Sequence, residues 1–188
     1  MGTQLSKEFR LKLLRVARQS LEIFLGNGDH IQFPTKIPEL LAKRAVFVTL
    51  RKRRTGDLRG CIGQSKPRYP LIEAVAKTAI ASAVNDTRFP SLKIDELSNL
   101  LIEINVLSPM EPSKPEDVKI GKHGLMIKKN SKGALFLPEV AVSNGWDLNT
   151  FFDELCRKAD LPKESCHNRE VELYVFESET WGEHDFSS

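Results

Sequence analysis

The sequence predicts an α+β protein in which antiparallel sheets, built mainly from β-hairpins, are covered on one face by helices. One observation is that apolar residues recur at three- and four-residue steps over long segments, as in amphipathic helices. Another is that short apolar runs flank polar turns, which is the pattern of β-hairpins. The chain of 188 residues is long enough for one domain or for two small lobes that share a core. Its composition, 40% hydrophobic and 28% charged, is that of an ordinary globular protein.

The first part of the chain is predicted to form a helix, a hairpin and a second helix. The first helix begins near Ser6, a good N-cap residue, and ends at the glycines of 26–28. Branched and aromatic residues predict the first strand, and a basic turn with Gly56 reverses the chain into the second strand. Alanines on one face of the second helix allow close approach to a sheet. These elements are a helix at 5–25, a strand at 45–50, a turn at 51–57, a strand at 58–63 and a helix at 71–84.

The second part of the chain begins with a strand and a candidate lobe boundary. Alternating apolar and polar residues predict a half-buried strand at 100–107, and the prolines that follow are typical of a linker. We therefore place a soft lobe boundary near 109–118. The larger lobe spans about 1–108, to which the C-terminal strand can return, and the smaller lobe spans about 119–165. The remaining predicted elements are a hairpin of 125–127 with 135–137, a helix that begins near Asp147 and a strand at 171–176.

The segment Leu58–Gly63, with the sequence LRGCIG, is the strongest candidate for a functional site. Alternate side chains of a strand share one face, so Arg59 and Cys61 are expected to point the same way. A guanidinium near a thiol favours the reactive thiolate, and Gly60 and Gly63 let another group approach the main chain closely. The alternative is structural, because cysteine is often a small buried hydrophobe and glycines often mark a bulge or a twist.

Residues in other segments are candidates for the same site. The turn after the second predicted helix can bring Asp86 and Arg88 beside the hairpin, where Arg88 either braces the turn as an ion pair or binds an anionic ligand. His123 either acts as a general base for Cys61 or caps a turn. Glu139 follows the end of a predicted strand, where its carboxylate either lines a cleft or faces solvent.

A basic run, Arg51-Lys52-Arg53-Arg54, occupies the predicted hairpin turn. Such a run either contacts the phosphates of a nucleic acid or an acidic partner, or forms a solvated turn without a specific role. The net charge of the chain is +3, which is too small for a dedicated nucleic-acid coat. The run therefore supports a nucleic-acid interface only as an alternative.

The cysteine usage predicts reduced thiols and a cytoplasmic location. Cys61, Cys156 and Cys166 are odd in number and have no CxxC spacing. Cys156 is expected in a helix core, whereas Cys166 and His167 are expected in a polar loop. The histidines and cysteines show no metal-ligand spacing, so no metal site is predicted. No apolar stretch approaches the roughly 18 residues of a membrane span.

The hexapeptide and six further blocks resemble the AMMECR domain family, in the order of that family and over about 45–183. The resemblance implies two-layer α/β sandwich lobes with mainly antiparallel sheets and a cleft between them. Domains of the family occur fused to, or encoded beside, Memo-type dioxygenase-like proteins and radical S-adenosylmethionine enzymes, which implies such a protein as a partner. The further blocks are Asp86–Pro90, Glu103–Pro109, His123–Leu125, Leu135–Val140, Gly145-Trp146 and Leu155–Ala159.

These observations together favour a protein that binds a small-molecule or nucleotide-like ligand in the implied cleft, either as an enzyme or as a non-catalytic binder. Arg59, Cys61, Arg88 and His123 are the residues expected to act there. The alternative is a nucleic-acid or protein-binding module that uses the basic hairpin. Phosphate-binding glycine loops, HExxH and nucleophile elbows are missing from the sequence, which disfavours ATP hydrolysis, zinc proteolysis and serine hydrolysis. The sequence assigns no cofactor.

Overall fold

The computed structural model describes residues 4–167 and 170–186. The chain packs as two compact units. The first unit comprises the chain up to Leu107 and the segment from Glu179 onward, and the second unit is Ser108–Ser178. The lobe boundary predicted near 109–118 lies just after the end of the first unit. Mixed helices and antiparallel sheets confirm the predicted α+β fold class.

The first unit is built on a sheet of four strands, β1 (Val46–Lys52), β2 (Leu58–Gln64), β3 (Leu100–Leu107) and β8 (Ser178–Gly182). They lie in the order β2-β1-β3-β8. Strands β1 and β2 form the predicted hairpin, and β1 also pairs antiparallel with β3. Val48, Ile102 and Ile104 are fully buried on one face of this sheet, because apolar residues alternate along both central strands.

Two long helices, α1 (Lys7–Asn27) and α3 (Leu71–Val84), cover the apolar face of this sheet. The side chain of Ser6 accepts a hydrogen bond from the Phe9 amide and caps α1, as the sequence predicted. Gly28 ends the helix with a left-handed φ of 83°. The short helix α2 (Pro38–Leu41), which the sequence analysis did not predict, lies between α1 and β1.

The second unit is built on a sheet of four strands, β4 (Glu111–Pro112), β5 (Gly124–Lys129), β6 (Lys132–Phe136) and β7 (Glu172–Phe176), in the order β4-β7-β5-β6. Its helices are α4 (Pro138–Ser143), α5 (Leu148–Lys158) and α6 (Glu164–His167). The side chain of Asp147 caps α5, and Phe151 and Leu155 on that helix pack into the core over the sheet. Asp160, past the end of α5, has a left-handed φ of 54°.

Several sequence-based predictions need correction. The strand predicted at 171–176 is not the final one, because β8 follows it and joins the first sheet. Glu139 follows the end of β6, and it lies in the first turn of α4, a helix that the sequence analysis did not predict. Asn105 is one of the polar residues whose alternation predicted a half-buried strand at 100–107, yet it is buried, and its side-chain amide donates a hydrogen bond to Thr180 Oγ1 over 2.6 Å.

The prediction of reduced cysteines is also wrong. A disulfide joins Cys156 on α5 to Cys166 on α6, with the two Cα atoms 6.5 Å apart. Cys166 and His167 therefore lie in a helix rather than in a polar loop, and Cys166 is buried. The pair escaped the sequence analysis because the fold, and not a short motif, brings the two helices together. Cys61 is the free cysteine of the chain. Among the described residues, no helix has the length and apolar character that crossing a membrane requires.

Candidate functional site

The LRGCIG motif forms strand β2, which contains a bulge at Arg59. Leu50 pairs with Gly60, whereas Arg51 pairs with Leu58, so Arg59 is the extra residue between them. The alternation that was expected to align the motif's guanidinium with its thiol is interrupted at this point. The bulge sits on an edge strand, where such irregularities commonly re-aim a side chain.

The motif's glycines are required by packing within the protein. A Cβ atom at Gly60 would lie 2.1 Å from the main-chain oxygen of Ser82 on α3. A Cβ atom at Gly63 would lie 1.9 Å from Cδ1 of the Phe47 ring. The close approach that these glycines permit is therefore made by α3 and by an aromatic side chain of β1.

The hydroxyl of Ser82 ties the same helix to both strands of the hairpin. It accepts a hydrogen bond from the Ile62 amide over 3.0 Å, and its one proton lies within reach of two acceptors, the Val48 carbonyl oxygen at 2.8 Å and the Thr78 carbonyl oxygen of its own helix at 2.9 Å. Ser82 itself is buried. The backbone of the motif is thus held at a fixed height above α3.

Asp86, in the turn after α3, binds the open edge of the motif strand. Its carboxylate accepts hydrogen bonds from the Cys61 amide (2.8 Å) and from Arg88 Nε and Nη2 (2.9 and 2.7 Å). The Asp86 side chain is only 5% exposed, while that of Arg88 is 57% exposed. The hydrogen bonds from the Arg88 side chain, aided by the Cys61 and Arg88 amides, hold the pKa of Asp86 well below its usual range despite burial. Asp86 is therefore a carboxylate at neutral pH.

Arg88 is the cation that lies beside Cys61. Its Nη2 donates a hydrogen bond of 3.3 Å to the Cys61 carbonyl oxygen, and its side-chain hydrogen bonds to Asp86 raise the pKa of Arg88. Within the described part of the chain, Nη1 of Arg88 donates to no protein acceptor. The thiol is half-buried and accepts a hydrogen bond from the Thr49 hydroxyl at 3.2 Å. We call Thr49, Cys61, Asp86 and Arg88 the motif site.

Arg59 has a different partner from the one that the sequence suggested. Its Nε and Nη2 form a double hydrogen bond with the Glu96 carboxylate (2.9 and 3.0 Å), and its Nη1 donates to the Pro90 carbonyl oxygen. The Arg59 side chain is 8% exposed, and its hydrogen bonds lower the pKa of Glu96. The prediction that Arg59 neighbours the thiol is replaced by an ion pair with Glu96.

The basic run of the hairpin is exposed, as expected for a turn. Arg51 lies 3.8 Å from Glu103 on β3. The Arg53 side chain reaches the Leu100 carbonyl oxygen, so only part of the run projects freely into solvent. Lys52 and Arg54 line a pocket together with Arg59. A nucleic-acid role for the run stays a prediction.

His123 and Glu139 belong to the second unit. Nδ1 of His123 accepts a hydrogen bond from the Lys119 amide at 3.3 Å, so the side chain caps its own turn, which was one of its two predicted roles. The Cys61–His123 dyad and the ligand contact of Glu139 stay predictions. Within residues 4–167 and 170–186, no group of three His, Cys, Asp or Glu side chains is placed to hold a metal ion.

Three residues of the site were missed by the sequence analysis. Thr49 could have been found from the hairpin, because it pairs directly with Cys61 in the observed register. Ser82 lies on a helix face that the analysis treated as apolar packing. Glu96 had no sequence signal, since its contact with Arg59 depends on how the 90–99 segment folds against the strand.

Comparison with known proteins places the chain among relatives of similar length. A family model described as AMMECR1 matches residues 14–181. Protein PH0010 of Pyrococcus horikoshii is 41% identical over 91% of this chain and 88% of its own length. Protein MK0488 of Methanopyrus kandleri is 37% identical over 98% of this chain and 93% of its own. The crystal structure of PH0010 covers 95% of this chain and 93% of that chain, with a TM-score of 0.86 and 40% sequence identity. The chain therefore belongs to the AMMECR1 family.

Proposed function

We propose that the protein binds a small anionic molecule at the motif site, where Arg88 holds the anionic group and the Cys61 thiol contacts the bound molecule. One observation carries this proposal. The Arg88 guanidinium is fixed by Asp86 and by the Cys61 carbonyl, yet its Nη1 donors are unpaired within the described chain and more than half of the side chain is exposed.

The fixed orientation of Arg88 favours binding. A free arginine side chain loses rotamer entropy when it grips a ligand, whereas this one is already ordered by Asp86. Burial places the Asp86 charge behind the guanidinium, so solvent meets the positive end of the pair. The two unpaired N–H donors on Nη1 of this charged guanidinium suit an oxygen of a carboxylate or a phosphate.

The thiol gives the site its chemical character. Cys61 is half-buried and receives a hydrogen bond from Thr49, so its sulfur is held in place while remaining accessible. An anionic group bound to Arg88 would place the rest of the molecule against this sulfur. The arrangement suits a binder with thiol contact or an enzyme with a thiol nucleophile.

The test is protection of Cys61 from alkylation by iodoacetamide. Because Cys156 and Cys166 are joined in a disulfide, Cys61 is the thiol that reacts, and no other cysteine needs replacement. We expect carboxylates or phosphate esters from a panel of small anions to slow the reaction saturably. The protection should be lost in Arg88→Gln.

The control is Arg15→Ala, which removes an exposed arginine from α1 on the opposite side of the sheet. It should keep full protection. Unfolding temperatures of all variants show whether the fold is intact. A panel without a single protecting anion would refute the proposal, as would equal protection in Arg88→Gln and wild type. A Memo-type or radical S-adenosylmethionine partner stays a prediction from the family resemblance.

A further inference from the structure

We propose that the protein has a second ligand site, which takes a nucleoside monophosphate in a pocket at the turn of the β1–β2 hairpin. The pocket has a volume of about 500 Å³, within the range of ligand sites. Its charged lining residues are Lys52, Arg54, Arg59 and Glu96. Thr55, Asn99 and Leu100 complete the lining, and we call this the hairpin pocket.

The walls of the hairpin pocket are held in place by hydrogen bonds. The Arg53 amide donates to the Asn99 carbonyl oxygen over 2.8 Å, and its side chain reaches the Leu100 carbonyl oxygen. The Gly56 amide donates to the Lys52 carbonyl oxygen over 2.8 Å, which closes the turn. The turn is therefore tied to the start of β3, and the pocket is formed before any ligand binds.

The charge of the hairpin pocket suits a phosphate. Its lining carries three cations and one carboxylate. Arg59 and Glu96 are paired with each other, so their charges largely cancel. Neither Lys52 nor Arg54 forms a salt bridge with a described residue, which leaves two positive charges at the rim. A phosphate monoester, with a charge near −2 at neutral pH, matches this excess.

The remaining lining suits a nucleoside better than a bare phosphate. The aliphatic stems of Lys52 and Arg54 provide apolar surface, and a guanidinium plane such as that of Arg54 can stack on a base. The amide of Asn99, which is exposed at the pocket, has both a donor and an acceptor for the edge of a base. The pocket thus combines positive charge for a phosphate, a surface on which a base can stack and an amide that can form hydrogen bonds with the edge of the base.

The hairpin pocket is independent of the proposed motif site. Cys61 and Arg88 do not line it, and Arg59 is turned toward Glu96 rather than toward the thiol. Loss of one function should leave the other intact.

The test is isothermal titration calorimetry with AMP, GMP, CMP and UMP, each compared with its nucleoside and with inorganic phosphate. We expect at least one nucleotide to bind about tenfold or more tightly than either of its parts. The double variant Lys52→Ala/Arg54→Ala should weaken this binding by about tenfold or more, because it removes both unpaired cations. Asn99→Ala should weaken the nucleotide but not inorganic phosphate.

Arg51→Ala is the matched control. It removes a cation from the end of β1 next to the turn, where Arg51 does not line the pocket. The Arg51 side chain instead contacts Glu103 and donates an exposed hydrogen bond to the Gly56 carbonyl oxygen. Its affinity for the nucleotide should stay within about twofold of wild type. Absence of saturable binding by all four nucleotides would overturn the proposal. Equal weakening by Arg51→Ala and by the double variant would also overturn it, since the effect would then be general charge attraction.

A single-stranded oligouridylate provides the last comparison. It carries the same phosphate chemistry on a polymer. If only the oligonucleotide binds, and Arg51→Ala weakens it as much as the double variant, the hairpin is a nucleic-acid surface and the pocket proposal is wrong. If a mononucleotide competes fully with the oligonucleotide, the proposal is supported.

Discussion

Replacement of Gly60 by alanine is expected to destabilise the first unit by about 3 kcal/mol. The new Cβ atom would lie 2.1 Å from the Ser82 main-chain oxygen, well inside the 3.0 Å that real Cβ contacts respect. This oxygen belongs to the backbone of α3, so either α3 or β2 must shift. Overpacking of this kind costs about 1–3 kcal/mol. A shift would also strain the hydrogen bonds of Ser82 to Ile62 and Val48, each of which contributes about 1 kcal/mol.

The assay is equilibrium urea unfolding followed by tryptophan fluorescence. The chain has two tryptophans, and Trp181 lies buried in the core of the first unit. A Trp146→Phe background removes the tryptophan of the second unit, so the signal reports the unfolding of the first. Gly26→Ala in α1 is the matched control, because its Cβ would have no neighbour within 4 Å. That substitution should stabilise the protein by up to about 1 kcal/mol.

The opposite signs of the two substitutions make this prediction specific. If Gly60→Ala unfolds within about 0.5 kcal/mol of the parent, the close contact between the motif and α3 does not limit stability. The packing role of the motif glycine would then be refuted. Equal destabilisation by Gly26→Ala would show that the measurement reports general glycine effects.

Three further predictions concern ion pairs and the disulfide. Asp86→Asn should lower the free energy of unfolding by about 2 kcal/mol near pH 7. Because the pKa of Asp86 is lowered in the folded state, this difference from wild type should persist above about pH 4 and shrink as pH falls further. Urea unfolding at pH 7 and pH 3 measures the difference, and an equal value at both pH values would contradict the prediction. Glu96→Gln should cost about 2 kcal/mol by removing the charged partner of the buried Arg59, and thermal unfolding unchanged from wild type would argue against that ion pair. The Cys156–Cys166 bond closes a loop with a sequence separation of 10, so its reduction should lower the stability of the second unit by about 3 kcal/mol. Amide hydrogen exchange measures this loss, and exchange that is unchanged on reduction would contradict the prediction.

Local patterns were sufficient to predict α1, β1, β2, α3 and β3 of the first unit. The 3.6-residue period of α1 is clear because this helix buries one face, whereas α3 is marked by its many apolar residues, since most of its side chains are buried. The hairpin of β1 and β2 was visible because its strands and turn are adjacent in sequence. The turn containing Asp86 lies beside the hairpin, as the order of helix and turn suggested.

Features that depend on distant segments could not be predicted in this way. Strand β8 is short and mixed in polarity, and it becomes a strand by adding to the sheet of the first unit. The bulge at Arg59 depends on the register with β1, which alternation alone does not reveal. The disulfide similarly depends on the packing of α5 against α6. Cys61, Asp86 and Arg88 were therefore named from the sequence, whereas Thr49, Ser82 and Glu96 were missed, and the contact of Arg88 with Cys61 depends on the fold.

If the fixed guanidinium of Arg88 makes the surroundings of Cys61 receptive to anions, alkylation of the thiol should depend on the charge of the reagent. The measurement is the ratio of rate constants for Cys61 with iodoacetate, which is anionic, and with iodoacetamide, which is neutral. The ratio cancels changes in thiol reactivity that affect both reagents alike. We predict that Arg88→Gln lowers this ratio by about threefold to tenfold at low salt, whereas Arg15→Ala leaves it unchanged. A ratio that is the same in wild type and in Arg88→Gln would show that Arg88 does not draw anions to Cys61.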